Sequence, residues 1–267
     1  QARHFLDTLT TLQELKIYIL WVEVSIPAVE CHWQYFQQKQ CLNSFLKFTK
    51  MSPFIHKNKK LKAFAILWIV LVHFFGIIGV YFLPDWFLPA TPLVILVSAG
   101  VVILRYEKYR QSRFVAFAVI VVMAYLVEVY GVKTGHLFGT YTYGNNLGLK
   151  LFGVPLIIGV NWAVLIMVAQ QLTTHYIGVN NRFFSAISVA VLMTMFDLLL
   201  EVLAPQFDFW SFTHMNYAPL QNFTAWFVVS FCFGLYSYSH FRNQNRTAVL
   251  YGVAQLVFFM ILGLLVI

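Results

Sequence analysis

The sequence predicts an all-α, polytopic membrane protein, with about seven transmembrane helices in one bundle. Three observations carry that expectation. Charged residues make up only 10% of the 267-residue chain and hydrophobic residues 60%, with a mean hydropathy of +0.72, whereas soluble domains carry about 25% charged residues. The apolar residues gather into runs of the length a bilayer requires. The lysines and arginines fall between those runs and form no continuous basic face.

Residues 1–50 differ from the rest. They hold Asp7, Glu14, Glu23 and Glu30, two of the three cysteines (Cys31 and Cys41), and a polar stretch from Gln34 to Gln40. The apolar segment Leu15–Ile26 is interrupted by Glu23 and is too short to span. Met51, followed by Ser-Pro-Phe-Ile-His-Lys-Asn-Lys-Lys and an apolar run, reads as a natural start. The expectation is therefore an N-terminal extension, 1–50, upstream of the true start, and an integral membrane domain at 51–267. A genuine peripheral extension is the alternative.

Seven candidate spans follow Met51: Leu61–Leu83, Trp86–Leu104, Phe114–Tyr130, Leu151–Leu172, Phe183–Leu203, Phe223–Phe241 and Thr247–Ile267. Pro89 and Pro92 lie in the first turns of the second span, where proline is tolerated. No repeat, linker or low-complexity tract divides them, so one domain is expected.

Basic residues set the orientation. Lys57, Lys59, Lys60 and Lys62 cluster at the start of the first span. Arg105, Lys108, Arg110 and Arg113 lie between the second and third, Arg182 before the fifth, and Arg242 and Arg246 between the sixth and seventh. The other side holds only Lys133 and Lys150. That bias places the chain from Met51 with its N-terminus in the cytoplasm. It also turns the formal charge of +8 into topology information, so no nucleic-acid partner is expected. The partner is the lipid bilayer.

Against this apolar background three acids stand out. Asp197 and Glu201 are four residues apart in the fifth span, hence on one helix face, and Glu128 ends the third. Carboxylates at membrane depth are costly, rare and functional by default. Apart from Lys62 at the very start of the first span, no lysine or arginine lies inside a span to neutralise them, and an unpaired buried charge is expensive. The bland alternatives are an interhelical hydrogen-bonding role for Asp197 and a solvated membrane edge for Glu128.

The remaining unusual residues cluster in two long loops on one side, Gly131–Lys150 and Ala204–Gln221. The first carries His136, glycines at 131, 135, 139 and 144, and the alternating Tyr141 and Tyr143. Those tyrosines fit a short hairpin or re-entrant turn, or an interfacial aromatic belt. Asn161 and Trp162 lie within the fourth span. Trp210 lies in the second loop, and Asn222 and Trp226, again four apart, open the sixth span. His73, alone in the first span, reads as a core histidine. The cysteines give no metal spacing and no disulfide framework. There is no Walker loop, dinucleotide fingerprint, H-E-x-x-H or G-x-S-x-G, nor the several histidines a membrane di-iron site needs. No metal or cofactor is expected.

The stretch E-x-x-G-x-x-x-G-x-x-x-G-x-Y-x-Y from Glu128 to Tyr143 is followed by G-V-P and a tryptophan at Trp162. Then come D-x-x-x-E at Asp197–Glu201 and N-F-x-x-W at Asn222–Trp226. This order of motifs, from about Leu61 to Ile267, resembles the membrane carotenoid 1,2-hydratases, which act on γ-carotene-type end groups in bacteria and on bisanhydrobacterioruberin in haloarchaea. The family pattern has a proline directly after the second acid, whereas here Val202 follows Glu201 and Pro205 comes later.

The resemblance implies addition of water across the terminal C1–C2 double bond of an acyclic carotene end. A carboxylic acid kept protonated by apolar surroundings protonates C2, and a second carboxylate handles the attacking water. Aromatic faces stabilise the tertiary cation. Asp197, Glu201 and Glu128 are the implied catalytic acids. Tyr141, Tyr143, Asn161, Trp162, Trp210, Asn222, Trp226 and His136 are the implied substrate-binding residues. The implied partners are a membrane-dissolved carotenoid and other carotenoid-biosynthesis enzymes. A carotene end-group cyclase begins with the same protonation and stays open as an alternative. A proton- or ion-coupled transporter also wants intramembrane acids, though seven unequal spans show no inverted repeat.

Overall fold

A computed structural model describes residues 59–105, 110–213 and 217–266, all within one compact unit, Ser52–Ile267. The expected extension at residues 1–50 and the start at Met51 lie outside the described residues. The chain is a helical bundle. In order, α1 is Lys59–Phe82, α2 the single turn Pro84–Phe87, and α3 Thr91–Leu104, joined to α2 by a tight turn of 3-10 helix at Leu88–Ala90. Then come α4 Arg110–Thr134, α5 Ile157–Leu172, α6 Arg182–Leu203, α7 Leu220–Phe241 and α8 Arg246–Val266.

Among the described residues, six helical stretches are long and apolar enough to cross a membrane: Lys60–Phe82, Pro84–Leu104, Gln111–Thr134, Ile157–Ile177, Arg182–Leu203 and Arg246–Leu265. The expected sixth span, now α7, matches them in length at 22 residues but is more polar, carrying Gln221, Asn222, Ser230, Ser237, Ser239 and His240. The protein is a multi-pass membrane protein.

Helix α5 forms the axis of the bundle. Nearly all its side chains from Ile157 to Gln171 are buried, and it packs against α3, α4, α6, α7 and α8. A helix that is mostly apolar on every side belongs in such a position, and its few polar side chains, Asn161, Gln170 and Gln171, lie near its two ends. Its approach to α4 depends on Gly159, where a Cβ would fall 2.4 Å from the Val121 carbonyl oxygen. No larger residue lets the two backbones come this close. At its other end α5 widens into one π-helical turn, Thr173–Ile177, closed by Gly178 in the left-handed region. Helix α6 then starts on an N-cap: the Asn181 side chain accepts from the Phe183 and Phe184 amides at 2.9 and 3.2 Å. In contrast to the central helix, α1 exposes Phe64, Leu67, Phe74 and Phe75, the surface lipid would cover.

The loop regions correct three sequence expectations. The third span does not end at Tyr130; α4 runs to Thr134 and stops at Gly135, which has φ 67°, so Glu128 lies inside the helix. The fourth span starts at Ile157, because Lys150–Leu151 (β2) and Val154–Pro155 (β3) form a small hairpin instead. Tyr141–Tyr143 (β1) makes no hairpin within its own loop. It pairs antiparallel with Trp210–Phe212 (β4) of the second loop, Tyr141 opposite Phe212 and Tyr143 opposite Trp210. The two loops thus form a single cap. Gly144 is the tightest point of that cap: a Cβ there would meet the Asp208 carbonyl oxygen at 2.2 Å.

Candidate active site

The strand pairing places Tyr141, Tyr143, Trp210 and Phe212 on one face of the cap, since side chains two apart and directly opposite share a face. Under that face lie Glu128 of α4, Asn161 and Trp162 of α5, Glu201 of α6, and Asn222 and Trp226 of α7. All ten line one cavity of about 30 Å³. A space that small admits a water or two and nothing larger.

Glu128 is fully engaged. Its Oε2 accepts from the Tyr141 hydroxyl at 2.5 Å and the Tyr143 hydroxyl at 2.8 Å, and its Oε1 from Trp162 Nε1 at 2.8 Å. Burial, and next the neighbouring Glu128 carboxylate, push both tyrosine hydroxyls well above their ordinary range. They therefore remain donors at any ordinary pH. Trp162 in turn stacks on Trp226, with ring centroids 4.0 Å apart and planes 19° from parallel.

The i, i+4 spacing of Asp197 and Glu201 does put them on one face, and a single amide joins them. Asn222 Nδ2 donates to Asp197 Oδ2 at 2.8 Å and to Glu201 Oε1 at 3.1 Å. Trp210 Nε1 donates to both Glu201 oxygens at 3.2 Å. Asp197 is 0% exposed and its Oδ1 has no hydrogen-bond partner among the described residues. The magnitudes separate the acids. Inserting an acid at mid-helix costs roughly 2.5–3.5 kcal/mol, and a hydrogen bond to a charged group offsets about 1.5–3 kcal/mol. Three donors are ample for Glu128. One donor is marginal for Asp197, so structure alone gives little reason for an acid there.

Nine of the eleven residues singled out from sequence thus line one cavity. Two do not. Asp197 sits behind Asn222, away from the cavity wall, and reaches it only through the shared amide. His136 has an exposed side chain, and only its backbone is engaged, its carbonyl accepting from Gln221 Nε2 at 2.5 Å. Sequence reasoning missed Phe138, Ile158, Leu200 and Phe212, which complete the wall. Phe212 was within reach, because Trp210-Ser-Phe212 alternates as Tyr141-Thr-Tyr143 does.

Beside this cavity lies an apolar chamber of about 440 Å³, between α1, α3, α5, α6 and α8. That size is typical of sites for small organic ligands. Trp68, Phe196 and Phe259 are among its walls. His73 also faces it, its Nδ1 donating to the Ile69 carbonyl at 2.7 Å and its ring packed edge-on against Tyr251 and Phe258. Ile158, Asn161, Leu200 and Trp210 belong to both spaces. The chamber reaches the lipid side at Phe64, Leu67 and Phe75, each more than half exposed.

Fold and site together define a multi-pass membrane protein with a hydrogen-bonded carboxyl cluster at one end of its bundle, next to an apolar chamber. The chain belongs to the family of carotenoid biosynthesis proteins, which matches residues 90–267, a span containing all three acids. It is similar to a bisanhydrobacterioruberin hydratase of Haloarcula japonica, at 30% identity over 120 residues, 42% of this chain and 40% of that relative. The chain thus spans well under half the length of this curated relative. No solved structure matches the chain.

Proposed function

We propose that the protein adds water to the terminal C1–C2 double bond of an acyclic carotene end group, producing a tertiary alcohol. The observation that carries this reading is the shared wall: an apolar chamber sized for the end of an isoprenoid chain abuts a water-sized cavity lined by two carboxyl groups. The similarity to a protein named as a hydratase points the same way.

In this mechanism the carotenoid enters from the bilayer past α1 and lays its last isoprene units in the chamber. Glu201, beside Trp210 at the junction, gives its proton to C2. The C2–H bond forms as the O–H bond breaks, and the alkene electron pair leaves C1 as a tertiary cation. A water from the small cavity bonds to C1 through its oxygen, and its surplus proton returns to Glu201. Alkene and water account for every atom, so the acid is regenerated and the step needs no redox partner. Glu128, its oxygens bound by three donors, is the fixed negative charge that balances the cation, an electrostatic role of the kind most catalytic sites rely on. The faces of Trp210 and Trp162 add to it. Asp197 is a positioning residue that holds Asn222, and through it the carboxyl of Glu201. A cyclase would use the same proton but has no use for a water cavity beside it.

The test is expression in a host that accumulates an acyclic carotene, with pigments resolved by mass spectrometry. The expected product is heavier than the carotene by the mass of one water. A cyclised isomer of unchanged mass would overturn hydration in favour of cyclisation. The basic clusters support an orientation with Lys60 and Lys62 on the cytoplasmic side and the acids toward the opposite leaflet. After replacement of Cys31, Cys41 and Cys232, a cysteine at Gln206 should react with an impermeant thiol reagent from outside, and one at Ser112 only after permeabilisation. The reverse pattern would invert the orientation.

A further inference from the structure

Four residues form the boundary between the apolar chamber and the small polar cavity, and they differ in what they can offer a water molecule. Ile158 and Leu200 carry no polar side-chain atom. The one donor of Trp210 is committed to Glu201. Asn161 remains, half-buried, and its carboxamide makes no hydrogen bond to any described residue. An amide offers two donors and an acceptor, and polar groups in apolar surroundings are nearly always bonded to protein or to ordered water. Its nearest counterpart, Asn222, has spent its amide hydrogens on Asp197 and Glu201. Trp162, next in the chain, has given its N–H to Glu128. The donor hydrogens of Trp162, Trp210 and Asn222 are thus all committed to carboxyl oxygens.

We infer that Asn161 holds the attacking water at the passage between the two spaces, and so decides whether the cation is hydrated or collapses back to an alkene. This rests on the hydration reading above. The Asn161 carbonyl accepts one hydrogen of the water, which aims an oxygen lone pair at C1. Without a water held there, the cation has a second exit. A carbon next to C1 gives its proton to the Glu201 carboxylate, the C–H pair becomes the new π bond, and an alkene is released with no oxygen added. In heavy water that futile cycle leaves deuterium in the recovered carotene, because the carboxyl proton exchanges with solvent. Asn161 is thus a specificity-determining residue, and its loss changes the partition between products more than the formation of the cation.

The experiment uses membranes containing the full chain, an acyclic carotene as substrate and heavy water as solvent. Alcohol and deuterium in the recovered carotene are both measured by mass spectrometry. Asn161→Leu, similar in size but without a polar group, should raise the ratio of exchange to hydration roughly tenfold, about the worth of one hydrogen bond. Asn161→Ser, which keeps a hydroxyl, should fall between it and the wild type, and gives the same readout if the leucine variant does not accumulate. A ratio unchanged from wild type in the variant that accumulates, whatever the total rate, would overturn the assignment while leaving hydration intact. A wild-type protein that neither hydrates nor exchanges would overturn the hydration reading and this inference together.

Discussion

The bundle has a polar cluster at each end of its central helix, and only one of them has the makings of a site. At the end away from the cap, Gln170 and Gln171 of α5 are buried among hydroxyls and backbone. Gln170 Nε2 donates to Thr174 and Ser185 at 2.8 and 2.9 Å, and its Oε1 accepts from Ser237 at 2.9 Å. Gln171 Nε2 donates to the Phe241 and Asn243 carbonyls, and its Oε1 accepts from the Asn245 amide. Asn245 in turn donates to the Val102 carbonyl at 2.9 Å and caps α8 through the Thr247 and Ala248 amides. These three amide side chains use both their donors and their acceptors. At the capped end the groups are carboxyls, a cavity lies among them, and hydrogen-bonding capacity is left unused by the described residues, notably Asp197 Oδ1 and the whole Asn161 amide. Polarity inside an apolar bundle is therefore not the mark of a site. Unspent hydrogen-bonding capacity beside a cavity is.

That contrast is broken most directly by exchanging each acid for its amide. Glu201→Gln should lower alcohol formation by roughly 100-fold or more, the usual worth of a positioned proton donor, while the protein still inserts. Asp197→Asn, acting through Asn222, should cost less, roughly tenfold, near the worth of one hydrogen bond to a charged group. At the other end, Gln170→Leu strands the Thr174 and Ser185 hydroxyls, Ser237 keeping its bond to the Gly234 carbonyl, and should lower thermal stability by about 1–3 kcal/mol with product per folded molecule unchanged. Near wild-type hydration by Glu201→Gln would remove the proton-transfer argument. A loss of turnover in folded Gln170→Leu would erase the distinction between the two ends.

Much of this end of the molecule was legible in the sequence. The apolar runs located the long helices, the four-residue spacing of Asp197 and Glu201 fixed their common face, and the order of motifs pointed to the carotenoid family. What escaped has a physical reason in each case. The end of α4 was drawn at Tyr130, since Lys133 and Thr134 look like loop, whereas the helix continues until Gly135 can turn. The pairing of Tyr141–Tyr143 with Trp210–Phe212 joins segments about seventy residues apart in the sequence, and no local pattern encodes a non-local ladder. The set-back of Asp197 behind Asn222 is a matter of α6–α7 packing, invisible in a spacing rule that treats both acids alike. Both cavities arise where five or more elements meet, so no single segment carries their signal.

The smallest expected effect concerns pH and sharpens the comparison through Tyr143, which lies in the cap and donates to Glu128. Burial first, then the Glu128 carboxylate, raise its hydroxyl well above the ordinary tyrosine range. In the unfolded chain it ionises near pH 10, while the folded protein keeps it protonated. Above that pH the unfolded state has released a proton that the native state still holds, so stability falls as pH rises. The contribution is fully present below pH about 10 and is lost as the pH climbs toward the folded value. Tyr143→Phe removes it. The variant should melt lower than wild type at neutral pH, having lost a bond to Glu128, yet its melting temperature should decline less steeply across the alkaline range. Gln170→Leu touches no titrating group, so its curve should run parallel to the wild type at every pH. Thermal unfolding in detergent, followed by circular dichroism from neutral to alkaline pH, measures all three. Parallel curves for Tyr143→Phe and wild type would mean that the cap hydroxyl is no more protected from water than a tyrosine in the unfolded chain.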